Sequence, residues 1–144
     1  MNLSEHFTFE ELTHSDIGAR LGLDNTPSDA EIENLKRLAS LLEEVRALLG
    51  KPISINSGFR SKAVNDAVKS SDTSQHRLGC ASDIRVSGMT PDEVCRAIIA
   101  SNIAYDQIIR EFDSWTHISV TNTPDAKPRY SKLIIDKQGT RDFA

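Results

Sequence analysis

The feature that most restricts this chain is one amphipathic run near its start. Ser28 precedes the run and Glu31 follows three residues on, the pairing of a capping box, with Pro27 just ahead. Ile32, Leu35, Leu38, Leu42, Val45 and Leu49 then recur at helical spacing until Gly50 closes the segment. A helix of that length carries an apolar stripe that must be covered, and the rest of the chain supplies strands to cover it. "KPISIN", "SDIRV", "YDQIIREF", "WTHISV" and "YSKLIID" all read as strands. Shorter helices are expected in "SKAVNDAVKS", capped by Ser61, and in "TPDEVCRAIIA". In the latter Thr90 is the cap, Pro91 takes the first helical position and Glu93 completes a second box. Only Asp-Ser separates "YDQIIREF" from "WTHISV", which signals a hairpin. The order is helix first, then mixed elements with late antiparallel pairing. That predicts an α+β fold, with N-terminal helices packed on a small, mostly antiparallel sheet.

At 144 residues a single domain spanning 1–144 is expected. A net charge of −4 argues against broad electrostatic binding to nucleic acid or an anionic membrane, which needs clustered Lys and Arg. No run approaches the ~20 apolar residues that membrane insertion requires. The acidic N-terminus lacks a signal pattern, so synthesis in the cytoplasm without a signal peptide is expected. Cys80 and Cys95 are too few for a disulfide framework and read as small buried apolar residues.

The chemistry gathers around His76, Asp83 and His117. His6 and His14, the other histidines, fall in the weakly patterned start and read as surface residues. In an extended strand Trp115, His117 and Ser119 share one face, while Thr116, Ile118 and Val120 share the other and pack inward. His117 would then line a cleft beside Trp115. Two imidazoles and one carboxylate make three protein ligands for a zinc ion that keeps its fourth position open. Composition and spacing alone favour the plainer reading, in which the histidine is hydrogen-bonded structure and the aspartate caps a turn.

Adjacent segments change that balance. Ser57-Gly58-Phe59-Arg60-Ser61 follows a strand, Ser74, His76, Gly79, Ala81 and Asp83 match Ser-x-His-x-x-Gly-x-Ala-x-Asp, and Trp115, His117 and Ser119 match Trp-x-His-x-Ser. Together these resemble the M15 family of zinc peptidases, the D-Ala-D-Ala carboxypeptidase or VanX-like group with its Hedgehog/DD-peptidase-like fold. They look most like its short phage and bacterial branch. The resemblance implies His76, Asp83 and His117 as zinc ligands. It implies Arg60 as the cation that holds a substrate carboxylate or steadies the oxyanion, since a guanidinium donates in a fixed fork. Ser74 and Gln75 are expected to line the pocket or support His76, Trp115 to contact substrate, and Gly79 to serve backbone geometry.

One position departs from the family pattern. Where many members carry the general-base carboxylate, three residues before the last zinc histidine, this chain has Ser114, which cannot act as that base. Asp113 and Glu111 are the nearby carboxylates. The branch resembled carries Glu-Phe here, which favours Glu111, although the tight turn also offers Asp113. The function implied is hydrolysis of a peptide bond in the peptidoglycan stem peptide, at D-Ala-D-Ala or between L-Ala and D-Glu. A monomer acting on periplasmic peptidoglycan in the manner of a phage endolysin is expected by analogy. The competing class is a non-catalytic zinc- or wall-binding module of the same fold, for which Ser114 is the main support.

Overall fold

The structure, a computed structural model, describes residues 1–143. Its frame is a six-stranded sheet in the order β1-β2-β4-β3-β5-β6. The strands are β1 (Ile53–Ser57), β2 (Ala81–Val86), β3 (Gln107–Glu111), β4 (Trp115–Ser119), β5 (Ser131–Asp136) and β6 (Gly139–Asp142). Neighbours run antiparallel except β3 and β5, which are parallel. Helices α1 (Phe9–Thr13), α2 (Asp16–Leu21), α3 (Asp29–Leu49), α4 (Lys62–Ala67) and α5 (Pro91–Ile99) complete it, with a 3-10 turn at Gln75–Leu78. The chain is therefore α+β, as expected.

The long run folds as its caps dictate. Ser28 and Glu31 close a reciprocal capping box, and Gly50 ends α3 in the left-handed conformation at φ 64°. Leu35, Leu38, Leu42 and Val45 are fully buried and meet Ile84, Ile108, Ile118 and α5's Val94 and Ile98 in one core. Each such side chain contributes about 1.5–3 kcal/mol by leaving water. Thr90, Glu93 and Pro91 start α5 as read from sequence. Cys80 and Cys95 are buried and free.

The hairpin β3–β4 forms, but its turn is unusual in composition. Phe112 and Asp113 both have positive φ, 53° and 50°, and Ser114 N–H donates to the Glu111 carbonyl at 2.9 Å. This is the type I′ pattern, which Asn-Gly adopts far more easily. Strand β6 was not expected from the sequence. Its residues "GTRD" are all exposed and show no apolar alternation. The strand follows a turn fixed by Gln138 N–H on Asp136 Oδ1 (2.9 Å), with Arg141 donating to both Asp136 oxygens at 2.7 and 2.8 Å.

Candidate metal centre

The register of the central strands assembles the site. Asp83 on β2 pairs with His117 on β4, which pairs with Ile109 on β3, so these side chains share one row and one face. Glu111 pairs with Trp115 on that same face. His76 comes from the 3-10 turn, held by two devices. Ser74 Oγ accepts the His76 backbone N–H at 3.3 Å, and Gly79 at φ 77° ends the turn where a side chain would strain the backbone. The "SGFRS" loop is pressed against α1: Phe59 N–H donates to the Leu12 carbonyl at 2.8 Å, and a Cβ on Gly58 would collide with that same carbonyl.

His76, Asp83 and His117 are all buried, and one ligand atom from each lies within 4.8 Å of the others. His76 Nδ1 is 2.7 Å from the Gly58 carbonyl. A carbonyl only accepts, so Nδ1 carries the proton and Nε2 presents a lone pair. That Nε2 has no hydrogen-bond partner and lies 3.4 Å from Asp83 Oδ1. His117 Nδ1 lies 3.1 Å from the same oxygen. A buried, orphaned nitrogen is costly unless something occupies its lone pair. Two nitrogens and a carboxylate converging on one point fit a zinc ion. Burial alone would raise the Asp83 carboxyl, but the two imidazoles that face it, His76 and His117, outweigh burial and hold Asp83 well below the usual carboxylate range.

Glu111 stands beside this trio, with Oε1 4.0 Å from His117 Nδ1 and Oε2 accepting the Trp115 indole N–H at 3.1 Å. Burial first and the Asp83 charge second raise its carboxyl above the ordinary value, against the pull of His117 and Arg60. Asp113 is not brought to the site. It is exposed and pairs with Arg110 Nε at 3.1 Å, a side chain on the opposite face of the sheet. Ser114 is likewise outside, its carbonyl accepting from Arg85 Nε at 2.9 Å.

Arg60 reaches the trio from the other flank. Its guanidinium lies 3.7 Å from Asp83 Oδ2, and it donates to Ser57 Oγ and Asn65 Oδ1, both at 3.3 Å. Asn65 is fully buried and also donates to the Ser71 carbonyl at 2.8 Å, so it orients Arg60 while fixing the loop after α4. The sequence reading missed Asn65. Its one signal is an asparagine inside a helix, where its propensity is poor without a hydrogen-bonding duty.

A cleft of about 610 Å³ opens on this flank, lined by Arg60, Trp115, Ser57, Asn56 and Lys69 among others. Asn56 is the extra residue of a β-bulge, because Ile55 and Ser57 oppose the consecutive residues Ile84 and Asp83. Ser74 and Gln75 do not line this cleft. Ser74 supports His76 from behind, and the Gln75 amide crosses to Asp106 Oδ2 (2.9 Å) and Asn122 Oδ1 (2.8 Å).

A buried pair of histidines and a carboxylate, flanked by a fixed guanidinium that lines a cleft, has the make-up of a metal-dependent hydrolase centre. The Peptidase M15 family model matches residues 5–119, and the chain belongs to that family of zinc peptidases. No curated protein matches the chain. Among the described residues, no helix is long and apolar enough to cross a membrane.

Proposed function

We propose that this protein is a zinc-dependent peptidoglycan peptidase that hydrolyses a peptide bond of the murein stem, at D-Ala-D-Ala or between L-Ala and D-Glu. The observation that carries the reading is the orphaned His76 Nε2, buried in a His–Asp–His trio with Glu111 at its edge. His76 through Nε2, Asp83 and His117 through Nδ1 would hold the ion. When bound, zinc supplies Lewis acidity that polarises the scissile carbonyl and lowers the pKa of water. Glu111 accepts a proton from the attacking water and returns it to the leaving amine as the C–N bond breaks. The Trp115 indole fixes the carboxylate for that exchange. Arg60, anchored by Ser57 and Asn65, donates to the oxyanion or to a substrate carboxylate.

Purified protein incubated with muropeptides, with and without a chelator, tests the reading by mass spectrometry. Zinc-dependent release of D-Ala or of a split stem is the expected result. Stoichiometric zinc with no product at high protein concentration would overturn it and leave a non-catalytic binding module, the alternative that Ser114 supports.

A further inference from the structure

Helix α4 ends in a full Schellman motif whose key position is occupied by the wrong kind of residue. Lys69 N–H donates to the Asp66 carbonyl at 3.0 Å and Ser70 N–H to the Asn65 carbonyl at 3.1 Å. Lys69 therefore stands where glycine is usual, with φ 60°, in the left-handed region that a side chain enters at a cost. Elsewhere in this chain the same junction is given to glycine, as Gly22 after α2 and Gly50 after α3 show. The lysine lines the cleft that also holds Arg60 and Trp115. Among the described residues no carboxylate pairs with its ammonium, whereas Arg60 has Asp83 and the His14 beside the cleft has Asp16, at 2.7 Å.

The placement is coupled to the site. Asn65, whose carbonyl closes the Schellman motif, is the residue whose amide oxygen accepts from Arg60. The two cations are thus set relative to each other by one buried residue, through its main-chain carbonyl on one side and its side chain on the other. With a divalent cation in the trio, Asp83 and Glu111 are matched in charge; Asp16, which also lines the cleft, offsets one of Arg60 and Lys69, and one surplus positive charge remains. A cleft so charged favours an anionic occupant.

Resting on the peptidase reading above, we propose that Lys69 is a specificity-determining anchor for a carboxylate of the substrate peptide. The chemistry fits a stem peptide's C-terminal carboxylate and the α-carboxylate of its D-Glu alike. Two pairs of synthetic stem peptides separate these sources: one pair differs only in a C-terminal carboxylate against its amide, the other only in D-Glu against D-isoglutamine.

The informative variant is Lys69→Gly, because glycine is the residue this backbone prefers. The thermal midpoint should stay level or rise, while the kcat/KM ratio of carboxylate over amide peptide falls about tenfold for one pair, through KM. Lys69→Arg should keep the ratio. The pair that responds names the carboxylate. An unchanged ratio for both pairs in Lys69→Gly overturns the anchor. If the wild-type protein cleaves no peptide, the peptidase reading falls on its own. Calorimetric dissociation constants of the same peptides on zinc-loaded protein then decide the anchor: a carboxylate preference lost in Lys69→Gly upholds it, and none lost overturns it.

Discussion

The two faces of β4 differ by one residue in sequence and by everything in their chemistry. Thr116 and Ile118 turn into the helix-covered core, where Ile118 meets Ile84, Ile108 and the α3 leucines. Trp115 and His117 turn the other way, onto Glu111 and Asp83. Both faces are buried at their centre, but the first is built of apolar side chains, with the Ser82 hydroxyl its one unpartnered polar group among the described residues. The apolar face is stabilised by packing and asks nothing more of solvent. The second buries ionisable groups and leaves one nitrogen without a partner, an arrangement that a metal ion could complete.

If that division is right, perturbing the second face should strike function and metal before fold. The largest effect is expected from His76→Ala, Asp83→Ala or His117→Ala. Each should lose zinc by elemental analysis and lower turnover at least about a thousandfold. In wild type, zinc at about a hundred times its dissociation constant should add about 2.7 kcal/mol of stability, and these variants should lose that increment. A variant that keeps a full equivalent of zinc and full activity would break the assignment. Glu111→Gln comes next: zinc retained, kcat down by about 10²–10⁴-fold. Asp113→Asn, on the other face, should stay close to wild type, and the reverse outcome would move the base across the sheet.

On the core face, Ile118→Val should cost about 1 kcal/mol in urea unfolding with zinc content and kcat unchanged. Loss of zinc in that variant would show that the faces are coupled. The smallest effect is expected at Asp106, which joins Gln75 to Arg129. Burial would raise its carboxyl, but the Arg129 charge and the hydrogen bonds from Arg129 and Gln75 hold it below the usual range. A lowered folded-state pKa gives stability that is complete above the unfolded value near ~4 and fades as pH falls through the folded value. Because Arg129 is 59% exposed, Asp106→Asn should cost under about 1 kcal/mol at pH 7. That difference should shrink in acid; a cost independent of pH would mean the charge plays no part.

The helices were legible because each leaves a local mark, the caps at Ser28, Ser61 and Thr90. The trio was legible only through the resemblance of three motifs to a known family, since spacing alone favoured a structural histidine and a turn-capping aspartate. Glu111 was legible only as the better of two carboxylates. What separates it from Asp113 is the left-handed turn at Phe112 and Asp113, a conformation that "EFDSW" does not advertise. Strand β6 left no mark either, since an exposed polar edge strand lacks the alternation by which strands are read. Asn65 acts through Arg60 and Ser71, five and six residues away, across a helix end and loop whose geometry no sequence pattern announces.

The parallel pairing of β3 with β5 has a consequence for the folding chain. The family match ends at residue 119 and contains every residue of the trio and Glu111. Within that span the strand that carries Glu111 lacks its outer neighbour, which comes only with Ser131–Asp136. A folding intermediate in which β5 has not docked therefore exposes a bare strand edge next to the trio, a template for wrong pairing. Ile134→Pro, in the middle of β5, should therefore lower the soluble refolding yield more than Thr140→Pro on the outer strand β6.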